Sequence, residues 1–266
     1  MARTLQPLSL GKILDETFNI YRNNFWLFIG ISLAPSVVLL LLKVTTVIIH
    51  LDLNGASLVL IGIGMWIAAL ITQSAVTAAT TFAVSDIYLE HPTSVSACFS
   101  SVASKLPSVI YASIAVALIV GFGTLLCIIP GIYWAGVYGI AIPAVVLENI
   151  KGRQALSRSS SLTKNSVGRV IVVYFLTTIF AALMVVALNA GAGILGLATS
   201  HARIGTQLWI EIANKVGGIL FGPISAISLT LVYYDQRMRN EAFDIEHMMS
   251  MMPAPENPPL APPIIS

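Results

Sequence analysis

Long apolar stretches alternate along this chain with short polar, charged segments, and that alternation dominates everything else in it. A helix needs about 20 apolar residues to cross the hydrocarbon core of a bilayer. The pattern predicts six such crossings, at residues 25–49, 56–84, 107–129, 131–148, 170–198 and 208–234. The first is not expected to be a cleavable signal: it follows a polar segment, is too long for a signal's apolar region, and lacks a small-x-small site behind it. The expected fold is therefore all-α, a polytopic six-helix transmembrane bundle over residues 25–234.

Between and around these stretches the apolar spacing changes to that of amphipathic helices. In residues 1–24, Leu10, Leu14, Phe18 and Tyr21 share one face, with Lys12, Asp15, Glu16, Asn19 and Arg22 on the other. Such a helix lies along the membrane surface or packs on the ends of the bundle; the pattern is compatible with both. Residues 235–252 read as a second amphipathic helix, and the proline-rich residues 253–266 as an extended, disordered tail. A polar segment of similar texture precedes crossings one, three and five. Either the chain is three units, each an interfacial helix followed by a transmembrane hairpin, or the likeness is a coincidence of hydropathy.

Composition agrees with a membrane solvent. Hydrophobic residues make up 56% of the chain and charged ones 10%, against roughly 25% charged in soluble domains. The net charge of +2 says little, but its distribution does. Arg3, Lys12, Arg22, Lys105, Lys151, Arg153, Arg158, Lys164, Arg169, Arg237 and Arg239 fall on one side of the crossings, and only Lys43, Arg203 and Lys215 on the other. Basic residues collect on the cytoplasmic side, so both termini are expected there. Tyr133, Trp134 and Trp209 are expected near the outer boundary, while Trp66 and Tyr138 read as deeper packing residues.

Candidate chemistry is sparse. Cys98 and Cys127 have no metal or redox spacing, and Cys127 reads as a buried apolar filler. Gly191, Gly193 and Gly196 match a dinucleotide fingerprint, but no strand precedes them. The four histidines lack ligand spacing, and Ser157, Ser159, Ser160 and Ser161, read as part of a loop, have no activating base nearby. Pro130–Gly131 reads as the outer turn between crossings three and four. No metal, cofactor or nucleic acid is expected.

Two constellations remain. Gln73, Thr77, Thr81 and Ser85 recur every fourth residue as a polar stripe down crossing two; they line a hydrated path or bond neighbouring helices. At the cytoplasmic rim, Glu148, Arg153, Arg158, Lys164, Asp235, Arg237, Arg239 and Glu241 gather opposite charges. They form an internal network, or hold anionic lipid headgroups or an acidic protein partner.

Several of these residues carry a resemblance. Pro130-Gly131-Ile132-Tyr133, Ile142-Pro143-Ala144 through Glu148, Ala155-Leu156-Ser157-Arg158-Ser159 with Leu162-Thr163-Lys164, and Tyr233-Tyr234-Asp235-Gln236-Arg237 through Asp244 resemble the membrane domain associated with bacterial glycerophosphoryl diester phosphodiesterases. Leu14, Thr17, Phe18, Tyr21, Arg22 and Phe25 fit the same pattern. The resemblance covers nearly the whole chain except the proline tail. It departs at 160–167, where that family tends to carry aromatics, and near Tyr138, where it often has a base. It implies a stand-alone multi-pass protein of a bacterial cytoplasmic membrane, with no settled activity for the membrane portion. The phosphodiesterase reaction belongs to a separate barrel of roughly 250 residues, for which this chain has no room, so an enzyme is not expected. Two functions stay open: a non-catalytic scaffold recruiting lipids or proteins at the inner leaflet, and a small transporter or lipid-translocating protein. Interruptions at Pro35, Pro143, Gly191 and Pro223 motivate the second, because broken helices often border substrate sites.

Overall fold

A computed structural model of the protein describes residues 9–49, 55–199 and 203–251, apart from the side chains at 38, 40–49, 56, 58, 197–199, 203–208 and 242–251. The proline-rich tail lies outside these residues. Every element among them is helical: α1 (Leu10–Asn23), α2 (Phe25–Ile49), α3 (Gly55–Tyr88), α4 (Val95–Ala103), α5 (Leu106–Leu126), α6 (Ile128–Tyr138), α7 (Ala141–Glu148), α8 (Gly152–Thr163), α9 (Val167–Thr199) and α10 (Arg203–Met251).

Five helical stretches are long and apolar enough to cross a membrane: Val59–Tyr88, Leu106–Leu126, Ile128–Glu148, Val167–Gly196 and Trp209–Glu241. The expected first crossing is helical as α2, but the apolar part with fully described side chains, Phe25–Val37, is shorter than a crossing. Large apolar side chains cover the outside of the bundle, with Trp26 at 81% and Leu125 at 84% exposure. Water would not tolerate so continuous an apolar surface, whereas lipid requires it.

The short helices α1, α4 and α8 each precede a helical hairpin. Ser9 and Ser94 cap α1 and α4 by accepting the amide hydrogens of Lys12 and Ala97, each at 3.3 Å, which satisfies one otherwise unpaired first-turn donor. Their packing follows one rule. α4 rests on the α2–α3 hairpin, α8 on α5, α6 and α7, and α1 on α9 and α10. Each short helix thus covers the preceding hairpin, and α1, with none before it, covers the last. The face of α1 that meets α10 buries Ile13, Thr17 and Ile20, Tyr21 donates its hydroxyl to the Leu220 carbonyl, and Phe18 meets Phe180 edge-on at 5.1 Å. α1 thus packs against α9 and α10.

Local details differ from expectation. The turn between α5 and α6 is Cys127, extended at φ −167° and ψ 145°, and Pro130–Gly131 lie inside the first turn of α6. A proline is tolerated there because first-turn amides lack helical partners anyway. Gly131 is required for proximity: a β-carbon on it would lie 2.8 Å from the Thr124 nitrogen and 2.9 Å from its α-carbon. Cys127 is exposed at this turn, while Cys98 is buried. Pro35, Gly191 and Pro223 leave their helices continuous. Only Pro143 accompanies a break, between α6 and α7: proline lacks the amide that would bond residue 139 and its ring crowds that carbonyl. Residues 235–251 continue α10 as one helix instead of forming a separate one.

Packing is graded along the bundle. On α3 the buried residues run from Ser74 to Val84, on α5 they include Val109 and Ala112, and on α9 they include Val170, Val173 and Thr177. All of these lie toward the ends that carry the charged residues. At the opposite ends, Leu60, Ile63, Leu118, Phe122, Leu183 and Val186 are exposed. The hairpins are tightly joined at the charged end and loosely joined away from it.

Candidate functional site

At the tight end, two ion-pair groups tie the helices together. Asn149 takes the left-handed conformation at φ 53° and turns the chain so that α8 folds back along α7 and α6. Asparagine tolerates that backbone better than most residues. Arg158, on α8, then donates Nε to both Glu148 oxygens at 2.8 and 3.0 Å and a terminal nitrogen to Glu241 of α10. Arg237 also donates to Glu241, at 2.7 Å, and the Tyr233 hydroxyl donates to Glu148 at 2.6 Å. Burial alone would lower the Arg158 pKa, but its bonds to the two carboxylates outweigh that and hold it above its ordinary value.

The second group centres on Asp235, which is fully buried. Arg169 of α9 donates to it at 2.8 Å and Arg239 at 3.1 Å. Gln236 beside it accepts from Ser166, and Asn240 donates to the Leu162 carbonyl at 2.7 Å. Six of the eight expected rim residues therefore join these groups. Arg153 and Lys164 do not; both are exposed and form no ion pair among the described residues. Arg169, expected among the basic residues on the same side, and Tyr233, one of the residues that carry the resemblance, complete the network beyond those eight; the folding-back of α8 and the approach of α9 decide their partners.

The serine run is helical, on α8. Ser159 and Thr163 are buried and donate to the Val137 carbonyl at 2.7 and 3.3 Å. That carbonyl lies in the last turn of α6, where the break at Pro143 leaves acceptors without helical donors. The stripe on α3 divides in two. Thr81 is buried and accepts from Thr230 at 3.2 Å, and Ser85 bonds the Tyr234 hydroxyl at 3.1 Å. Thr177 and Ser228 bond at 3.2 Å at a comparable level on α9 and α10. Gln73 and Thr77 instead line an open space, with the Thr77 hydroxyl donating to the Gln73 carbonyl of its own helix at 2.9 Å.

That space is a chamber of about 500 Å³ between the three hairpins. Gln73, Ser74 and Thr77 come from α3, Ser113 and Ala117 from α5, Tyr138 from α6, Tyr174 from α9 and Ser225 from α10. A second cavity of about 370 Å³ lies between α2, α3 and α10, lined by Ser32, Ser36, Trp66, Gln73, Asn214 and Lys215. Leu70 and Gln73 border both. Gly218 and Gly222 line the second cavity, where a β-carbon on either would meet nothing within 4 Å; their small size leaves room there. Trp66, expected as packing, is 59% exposed and forms part of the wall. Both volumes fall within the roughly 300–1,000 Å³ typical of small-molecule sites.

No group of three or more histidine, cysteine, aspartate or glutamate side chains that could hold a metal ion occurs among the described residues. No family model matches the chain, and comparison with characterised proteins and with solved structures yields no match.

Proposed function

We propose that this is a six-crossing protein of a bacterial cytoplasmic membrane that takes up an amphipathic molecule between its hairpins and moves it, as a small transporter or lipid translocator. The observation that carries the reading is the chamber lined by Gln73, Thr77, Ser113 and Tyr138 above a closed polar floor. Thr81–Thr230, Thr177–Ser228 and Ser85–Tyr234 form that floor, and the two ion-pair groups lie beyond it. A cavity sealed at one end and loosely packed at the other suits alternating access, in which hairpins rock about a fixed site. The α2 helix supplies the sixth crossing, and the excess of basic residues places both termini in the cytoplasm.

The packing rule of α1, α4 and α8 supports three helix-plus-hairpin units closed in a ring, each bound to the previous hairpin. Membership of the phosphodiesterase-associated membrane-domain family is proposed on the residues that carry the resemblance, and the mechanism is non-catalytic: Glu148, Asp235 and Glu241 are each engaged by arginines. A scaffold recruiting lipids or proteins would use free cations at the rim, and of those residues Arg153 and Lys164 are exposed without an ion pair among the described residues. Arg158, Arg169, Arg237 and Arg239 are taken up by carboxylates of the same chain, so it is the chamber that favours translocation.

Flux of fluorescent phospholipids and of small organic ions into vesicles containing the purified protein tests the proposal. Ala117→Trp, which fills the chamber wall, should abolish flux while leaving the thermal transition near that of the wild type. Equal flux in protein-free and protein-containing vesicles for every probe would remove it.

A further inference from the structure

We infer that the cavity between α2, α3 and α10 is a subsite for the acidic headgroup of an amphiphile, a carboxylate or phosphate, with Lys215 as its counter-ion; this rests on the chamber reading above and names its substrate class. Lys215 is half-buried and forms no ion pair among the described residues. It lies six residues beyond Trp209, about 9 Å along the helix at 1.5 Å per residue. Indole rings favour the headgroup level, so the ammonium starts inside that boundary, where an ionisable side chain is costly without a role.

The groups around it are donors. Asn189 donates to the Asn214 carbonyl oxygen at 2.7 Å, which leaves the Asn214 amide hydrogens available. Gln73 offers a second amide. Ser32 is 4% exposed, and its hydroxyl lines the cavity with no hydrogen-bond partner. Such a buried hydroxyl is normally satisfied, and an anionic oxygen would satisfy it. No carboxylate lines the cavity; Glu211, one turn before Lys215 on α10, is not part of its wall. One cation and several neutral donors without an acid select an anion.

The rest of the amphiphile has a place as well. Across Leu70 and Gln73 lies the larger chamber, whose wall includes Val116, Ala117, Val120 and Leu229. A chain entering it would leave its head beside Lys215. Acidic lipid and free fatty acid share this chemistry and differ in head size.

The test uses the Trp66→Phe variant as a control and the full-length protein in nanodiscs of zwitterionic phosphatidylcholine. Tryptophan quenching is read during titration with brominated stearate, brominated stearyl alcohol or brominated phosphatidylglycerol. Saturable, Trp66-dependent quenching is expected for at least one anionic probe, about tenfold tighter than for the alcohol. Lys215→Gln should weaken that probe about tenfold and Lys215→Arg less than threefold. Stearate alone would identify a fatty-acid site, and phosphatidylglycerol a phospholipid site. Equal affinity for acid and alcohol, or no effect of Lys215→Gln, overturns the anion subsite while leaving the chamber reading standing. Absence of any saturable quenching overturns both.

Discussion

The phenol of Tyr233 donates to Oε1 of Glu148 at 2.6 Å, and Nε of Arg158 donates to the same oxygen at 2.8 Å and to Oε2 at 3.0 Å. One acid thereby ties the end of α7 to α10 and α8. Glu148→Gln removes the charge that Arg158 faces and weakens the acceptor of a buried phenol. Arg158 keeps Glu241 as a partner and is 30% exposed, so the loss should be about 2 kcal/mol. In detergent this should appear as a lowered unfolding midpoint. A cycle with Tyr233→Phe should give a coupling above about 0.5 kcal/mol; strict additivity would show that the two residues do not share the bond.

Asp235 should be the most sensitive member of the second group. It is fully buried, while Arg169 and Arg239 are 18% and 38% exposed. Asp235→Asn removes the buried charge that both guanidinium groups face, and breaking a buried pair typically costs about 3–5 kcal/mol. Removing the more exposed Arg239 leaves Arg169 in place and should cost about 1 kcal/mol. Thermal scans of both variants check the order; Arg239→Ala as damaging as Asp235→Asn would contradict it.

The two cysteines should respond in opposite ways. Burial pushes the Cys98 thiol up from its ordinary range, so it stays protonated and unreactive in the folded protein until alkaline pH. Cys127 is exposed at the α5–α6 turn. In intact cells a membrane-impermeant maleimide should modify Cys127 from outside and reach Cys98 only after denaturation. Labelling of Cys127 only after the inner face is exposed would invert the proposed orientation.

Glycines should divide by neighbourhood. Gly131→Ala drives a methyl group against the Thr124 backbone, and Gly152→Ala against the Ser108 carbonyl at 2.6 Å. Backbone cannot swing aside, so each should cost about 1–3 kcal/mol. Gly191→Ala meets nothing within 4 Å and should be neutral or stabilising by up to about 1 kcal/mol through helix propensity. Comparing the three unfolding midpoints tests whether the α5–α6 and α5–α8 contacts are as close as described.

What the linear chain determined by itself is its solvent and its helical stretches. Runs such as 170–198 are apolar all round, and only lipid or a closed interior accepts such a helix. It also disclosed that acids and bases gather at one end, because lysine and arginine cannot be hidden in an apolar run. Tertiary structure decided how those charges are used. Whether Arg158 meets Glu148 or a lipid depends on Asn149 reversing the chain and α8 folding back, and whether Arg169 meets Asp235 depends on α9 lying against α10. Periodicity on α3 is the same at Gln73 and at Thr81, yet one borders a chamber and the other is bonded to Thr230. A helix's own sequence specifies which residues share a face; the spacing between that face and its neighbours is a property of all the helices packed together.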